Sequence, residues 1–320
     1  MPLSKQDYVS DIWKDGIFER KVLFCTGGAG TICSAQVRAM VHLGANACIV
    51  GRNVEKTESM AKDITTARKG SQVLGIGGVD VRSFESLQKA VERCVQQLGG
   101  IDYVIAGAAG NFLSPIPHLS PNAFKSVIDI DVLGSYNTLK ATLPHLLKSA
   151  SKNRQPTPRT SLSSPTPAPT STSGRIIFIS ATIHYTTPPL QTHVSVAKAG
   201  VDVLSHSCAV EFGPRGLTSN VIAPGPIGGT EGMERLSRKE DVEAGMRNVP
   251  LGRWGTVKEI ADATVFLFGD AGNFVSGQTL VVDGAAWRTS AGPGAEFKYP
   301  DFLLGDDVVT GVKGGKTSKL

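Results

Sequence analysis

The chain has 320 residues, 41% hydrophobic and 19% charged, with a formal net charge of +5. That composition excludes a chain disordered throughout, and the scattered basic residues, with no cluster able to track a phosphate backbone, argue against a nucleic-acid partner. A mild positive balance favours an anionic small molecule instead.

Residues 1–18 alternate polar and apolar positions without a long apolar core, so neither a secretory signal nor a membrane span is expected, and a soluble intracellular protein is. Lys21–Thr26 is a short apolar run followed by glycines, then an amphipathic stretch to Leu43 and a second apolar run at Ala47–Val50. The rhythm repeats, with helices predicted over 54–68 and 84–98 and strands over 72–75 and 103–106. A long helix follows over 123–147, then strands over 175–180, 218–222 and 279–282 with helices over 195–212 and 257–267. Seven strands with crossover helices predict an α/β fold, a Rossmann-like doubly wound parallel sheet in three αβα layers. One domain is expected, its core about 19–287, with a tail over 288–320. Ser149–Gly174 is crowded with Ser, Thr and Pro and reads as a disordered insertion looped out of the core. Five cysteines, odd in number and without metal-ligand spacing, fit a reducing interior, and no metal is expected.

Gly27, Gly28, Ala29, Gly30, Thr31 and Ile32 lie between the first strand and its helix. Glycines there let a pyrophosphate approach the backbone and the helix amino terminus, where unpaired N–H groups favour negative charge. At the end of the second strand, where a carboxylate would bind a ribose 2′-hydroxyl and repel a 2′-phosphate, stands Arg52, which favours NADPH over NADH.

Phe178-Ile179-Ser180-Ala181-Thr182 and His193-Val194-Ser195-Val196-Ala197-Lys198 resemble the active-site segment of the short-chain dehydrogenase/reductase family. The resemblance extends over roughly 21–284. It implies that Asp80 and Val81 contact the adenine, that Pro224, Gly225, Pro226, Ile227 and Thr230 close over the nicotinamide, and that Lys198 holds the nicotinamide ribose. Thr31 and Cys33 depart from the family's TGxxxGxG loop. The larger departure is Val194, four residues before Lys198, where the family carries the tyrosine that protonates a carbonyl oxygen.

Ala108-Ala109-Gly110-Asn111-Phe112, with Leu119-Ser120-Pro121-Asn122-Ala123-Phe124, is similar to the 2,4-dienoyl-CoA reductases, and specifically to their peroxisomal branch, which lacks the tyrosine and has an aspartate at the position of Asp131. The implied chemistry is hydride addition to C5 of a 2,4-dienoyl-CoA, Asn111 hydrogen-bonding the thioester oxygen, and proton delivery to the α carbon. Asp131, a water held with Lys198, His193 and Tyr185 remain open as the donor. Arg82, Phe112, Ser120, Asn122 and Arg235 match positions contacting the CoA ester. Alternatives are an inactive NADPH-binding sensor or scaffold, or a carbonyl or 3-hydroxyacyl reductase, which the missing phenol opposes. Ser318-Lys319-Leu320 matches the tripeptide read by the peroxisomal import receptor, predicting the peroxisomal matrix and no membrane attachment. A homotetramer is expected by family analogy.

Overall fold

The computed structural model describes residues 4–151, 174–236 and 242–289, without the side chains of 234–236 and 242–244. Most of the predicted insertion, and the tail from 290 with Ser318-Lys319-Leu320, lie outside these residues.

The strands are β1 (Val22–Thr26), β2 (Asn46–Val50), β3 (Val73–Ile76), β4 (Tyr103–Ala106), β5 (Arg175–Ile179), β6 (Thr218–Pro224) and β7 (Thr279–Val282). They form one parallel sheet in the order β3-β2-β1-β4-β5-β6-β7. All five residues of β1 are buried because helices cover both faces, which explains why the strands read as continuous apolar runs. Alternation survives inside the core: Leu23 and Cys25 pack on one side of the sheet with Met40, Ile260 and Phe268. Phe24 packs on the other with Leu87, Leu146 and Phe178. The strand order reverses between β1 and β4, opening a crevice at their carboxyl ends.

The helices are α1 (Thr31–His42), α2 (Val54–Thr65), α3 (Phe84–Leu98), α4 (Pro121–Ile128), α5 (Gly134–Ser151), α6 (Ile183–Thr186), α7 (Thr192–Phe212), α8 (Glu231–Leu236), α9 (Val242–Arg247), α10 (Val257–Phe268) and α11 (Ala286–Thr289). Asn53 and Ser83 cap α2 and α3 by accepting from Lys56 N and Ser86 N. The single helix expected over 123–147 is broken by a π-helical segment, Asp129–Leu133, between α4 and α5. The inserted residue changes which side chains face the sheet, and such π segments concentrate at functional sites.

The amino-terminal segment joins the core. Tyr8, Val9 and Phe18 are buried, while Ser10 N and Trp13 Nε1 donate to Asp262 Oδ1 on α10 at 3.0 and 2.9 Å.

Candidate active site

The crevice holds a cavity of about 640 Å³ that runs from the Arg52 rim past Gly27 and Gly30 to Ile130, the neighbour of Asp131. Its floor requires glycine. Gly27 has φ +67°, and a Cβ there would lie 2.8 Å from Gly107 O; a Cβ on Gly28 would lie 2.6 Å from the Ile49 side chain. Gly30 is the residue before α1, in extended backbone with no capping side chain, so the first N–H groups of the helix face the cavity mouth. A dinucleotide's pyrophosphate suits that end, while exposed Arg52 and Lys56 supply cations at the far rim. Lys56 also pairs with Glu231 at the start of α8, a cross-cavity contact the sequence did not indicate.

Asp80 and Arg82, expected on separate ligands, engage each other. Arg82 Nε donates to both carboxylate oxygens of Asp80 at 3.0 Å, and its Nη2 donates to Oδ2 at 2.6 Å. Those bonds hold the Asp80 carboxyl below its ordinary pKa.

The reacting end is built on the π segment. Asp131 is completely buried. Its Oδ1 accepts from Gly110 N at 2.7 Å, and its Oδ2 lies 3.0 Å from Lys198 Nζ. Lys198, 6% exposed, also donates to Ile179 O at 3.0 Å. A buried ion pair recovers its desolvation cost only with good geometry, and both partners here have a second hydrogen bond. Val194, at the absent tyrosine's place, sits in an apolar cluster with Val127, Ala197, Phe112 and Ile183. No proton is available from that position.

Asn111 lies on the same side, its Nδ2 donating to Gln191 Oε1 at 3.1 Å while its own Oδ1 is buried without a partner. Gln191 carries no motif and was invisible to sequence reasoning. His193 is fully buried and stacked on Phe112, ring centroids 4.1 Å apart. Neither of its ring nitrogens finds a hydrogen-bond partner of normal geometry, and burial lowers its pKa.

Tyr185 is engaged by a second buried carboxylate. Its hydroxyl donates to Asp202 Oδ2 at 3.1 Å, and burial together with that carboxylate pushes its pKa up to about 12. Ser120 caps α4 by accepting from Ala123 N at 3.2 Å, and exposed Asn122 follows on the same turn. Thr230 is buried and bonds to Ile227 O at 2.9 Å, fixing the start of α8. Pro224 O accepts from Thr182 N, the residue before α6, at 3.1 Å, and Gly225 N donates to Val282 O on β7 at 3.0 Å. Arg235 lies on α8, its side chain outside the described set.

Residues 21–154 match the model described as short chain dehydrogenase, and residues 163–285 match that of enoyl-(acyl carrier protein) reductase. Over 91% of this chain and 92% of the relative, 47% of residues are identical to a peroxisomal 2,4-dienoyl-CoA reductase of Saccharomyces cerevisiae. The chain belongs to the short-chain dehydrogenase/reductase family. A Danio rerio peroxisomal 2,4-dienoyl-CoA reductase is 37% identical over 88% of this chain and 86% of that one, which agrees with the branch expected from the AAGNF run. A short-chain dehydrogenase structure from Bacillus anthracis superimposes with a TM-score of 0.71 at 31% identity, over 84% and 97% of the two chains. A levodione reductase structure, at 22% identity and a TM-score of 0.74 over 86% and 99%, shares the fold.

Proposed function

We propose that the protein uses NADPH to reduce 2,4-dienoyl-CoA thioesters to 3-enoyl-CoA, acting on unsaturated fatty acyl chains in the peroxisomal matrix. The observation that carries this reading is the fully buried Asp131 paired with Lys198 beside an apolar Val194. Carbonyl reduction needs a proton on oxygen, which suits a phenol at position 194. Reduction of a conjugated diene needs its proton on a carbon several atoms from where the hydride lands, so the acid is free to move. The named relatives are peroxisomal 2,4-dienoyl-CoA reductases, which supports the same substrate class.

NADPH, when bound, supplies the hydride to C5 of the diene. The glycine loop and the α1 amino terminus hold its pyrophosphate, and Arg52 faces its 2′-phosphate. Asp80 and Val81 border the adenine side of the cavity, and the 224–230 segment covers the nicotinamide side. Asn111 uses its remaining amide N–H to hold the thioester oxygen as the electron pair displaced from the C4–C5 double bond delocalises onto that oxygen. Lys198 fixes the ribose and compensates the Asp131 carboxylate. The proton shared between Lys198 Nζ and Asp131 Oδ2 across their 3.0 Å contact passes, through Asp131 or a water held by the pair, to the α carbon, leaving the double bond between C3 and C4 and a pair that solvent reprotonates. Phe112 and Arg82 line the ester side, with Ser120, Asn122 and Arg235 toward the CoA.

The experiment is direct: purified protein, NADPH and hexadienoyl-CoA, followed by loss of nicotinamide absorbance and by product analysis. Cofactor oxidation with 3-enoyl-CoA formed is the expected result. Absence of oxidation removes the reductase reading, and 2-enoyl-CoA as the product removes the protonation scheme. Import through Ser318-Lys319-Leu320 is tested by a fluorescent fusion with and without those three residues. Only the intact form should reach peroxisomes.

A further inference from the structure

Two consecutive turns of α7 grip the same short piece of chain. Lys198 Nζ donates to Ile179 O, the last residue of β5. One turn further on, Asp202, 6% exposed, takes His184 Nε2 at 2.9 Å and the Tyr185 hydroxyl at 3.1 Å on its Oδ2. Both donors stand on α6, a helix of four residues that begins directly after Ser180-Ala181-Thr182. A helix of one turn does not persist alone, because nucleation costs more than a single turn returns. The chain then leaves α6 through two non-glycine residues at positive φ, Thr187 (43°) and Leu190 (69°), a strained path that needs holding from outside.

The far end of this loop reaches the substrate side. Leu190 O accepts from Ser114 N at 2.9 Å, and Gln191 Oε1 accepts from Asn111 Nδ2 at 3.1 Å. The segment pinned at its base by Asp202 therefore carries, at its tip, the partner of Asn111, and at its root the carbonyl that receives Lys198. Trp287 of α11 packs over Tyr185 at 5.1 Å between centroids, closing the cluster from the side of β7. A buried carboxylate is a poor way to stabilise a core, since apolar side chains of similar volume commonly do as well or better. Here its second oxygen, Asp202 Oδ1, and the second ring nitrogen, His184 Nδ1, lack hydrogen-bond partners. Burial acts to raise the Asp202 pKa, and bonds from His184, Ser180 and Tyr185 outweigh it, holding the carboxyl below its ordinary value.

We infer that Asp202, with His184 and Tyr185, is a positioning clamp for the reductase site. By fixing the 179–191 loop it sets the Lys198 ammonium against the cofactor ribose and the Asn111 amide against the thioester oxygen. The clamp deepens the reductase reading and depends on it for the turnover measurements, while its effect on NADPH affinity stands on Lys198 alone.

The test compares wild type with Asp202→Asn, His184→Gln and Tyr185→Phe in the full chain. It measures thermal midpoint, NADPH Kd by nicotinamide fluorescence, and kcat and KM with hexadienoyl-CoA well below the midpoint. Misplacement of these groups by a fraction of an ångström predicts for Asp202→Asn a kcat lowered about tenfold and an NADPH Kd raised about fivefold, with the single-donor variants moving the same way by less. Asp262→Asn, on α10 against the amino-terminal segment, serves as a variant of lowered stability that keeps wild-type kcat and Kd. A merely structural Asp202 would behave like it, and kcat and Kd within twofold of wild type would overturn the clamp. Should Asp202→Asn fail to fold, wild-type values in both His184→Gln and Tyr185→Phe overturn it equally. A wild-type protein that binds NADPH but leaves hexadienoyl-CoA untouched refutes the reductase reading instead, and the Kd comparison still decides the clamp.

Discussion

Cys33 and Gly107 occupy one space. The Cys33 sulfur lies 3.9 Å from Gly107 O, and a Cβ built on residue 107 would fall far inside contact distance of that sulfur. Position 33 is where the family's loop has its last glycine, and position 107 lies in the turn just after β4. The two positions are complementary: the turn has no side chain where the helix carries one. Gly107→Ala is therefore expected to destabilise by about 1–3 kcal/mol through overpacking. Combining it with Cys33→Gly should recover much of that loss, read as a coupling in a double-mutant cycle of urea unfolding. Strict additivity would show that the two sites do not share the space.

Asp131→Asn keeps the bond from Gly110 N, but removes the acid and the partner of Lys198. The expected outcome is a kcat at least about a hundredfold lower, in the range general acids contribute, with NADPH still bound. Full turnover in this variant would exclude Asp131 as the proton source. Asp131→Ala should in addition lose about 3–5 kcal/mol of stability, because it leaves the Lys198 charge buried and unpaired.

Arg52 tests the cofactor preference. A charge-assisted bond to the 2′-phosphate contributes about 1.5–3 kcal/mol, so Arg52→Ala should weaken NADPH about 10- to 100-fold and leave NADH nearly unchanged. Equal weakening of both cofactors would mean that Arg52 supports the loop and not the phosphate. Lys56→Ala in the same titration separates the two cations.

Much of this site was legible because its parts are local. Glycines next to β1, Arg52 after β2 and Lys198 within a recognisable run each announce themselves by spacing, and the strands do so by apolar runs between turns. What was hidden depends on partners distant in sequence. The π segment is silent in a periodic reading, since one inserted residue between α4 and α5 leaves the apolar pattern nearly intact. Asp202 gave a partial signal, as the second buried charge one turn after Lys198 in a largely apolar helix, but its partners lie across a loop of no regular pattern. Gln191 and Glu231 gave none, because an exposed or half-exposed polar residue in a loop looks the same whether or not it holds another side chain. Tyr185 shows the same limit among the candidate donors: proximity in sequence put it near the acid, and the hydrogen bond of its hydroxyl to Asp202, seventeen residues on, is not written in any motif.

Glu259 gives a pH prediction independent of catalysis. It closes the capping box of α10 with Thr256, and Arg253 bonds both of its oxygens at 2.6 and 3.0 Å. Arg253 first, then the backbone N–H of Thr256, draw its pKa from 4.5 to about 2. A carboxylate depressed in the folded state stabilises above its unfolded pKa, and that contribution is lost as pH falls through the folded value. Glu259→Gln should lower the thermal midpoint at neutral pH and flatten its decline between about pH 4.5 and pH 2. An unchanged slope in that window would place the acid sensitivity elsewhere.

The exposed face of α7 carries a row of apolar residues. Val196, Val203 and Val210 recur every seven residues on it, 49%, 62% and 80% exposed, and Leu133 and Tyr136 are exposed where the π segment passes into α5. A row of β-branched residues facing water at that spacing is the pattern of a helix that packs against a second helix. In a closed assembly the same row would meet its own copy across a two-fold axis, so a charge placed there is opposed by an identical charge. Val203→Glu is expected to shift the mass measured by sedimentation or light scattering to a smaller species, with the near-ultraviolet spectrum of the folded chain preserved. Since α7 also carries Lys198 and Asp202, loss of the neighbour should lower activity with the dissociation. A wild-type protein that runs as a monomer, or a Val203→Glu variant of unchanged mass, would remove this face as the contact.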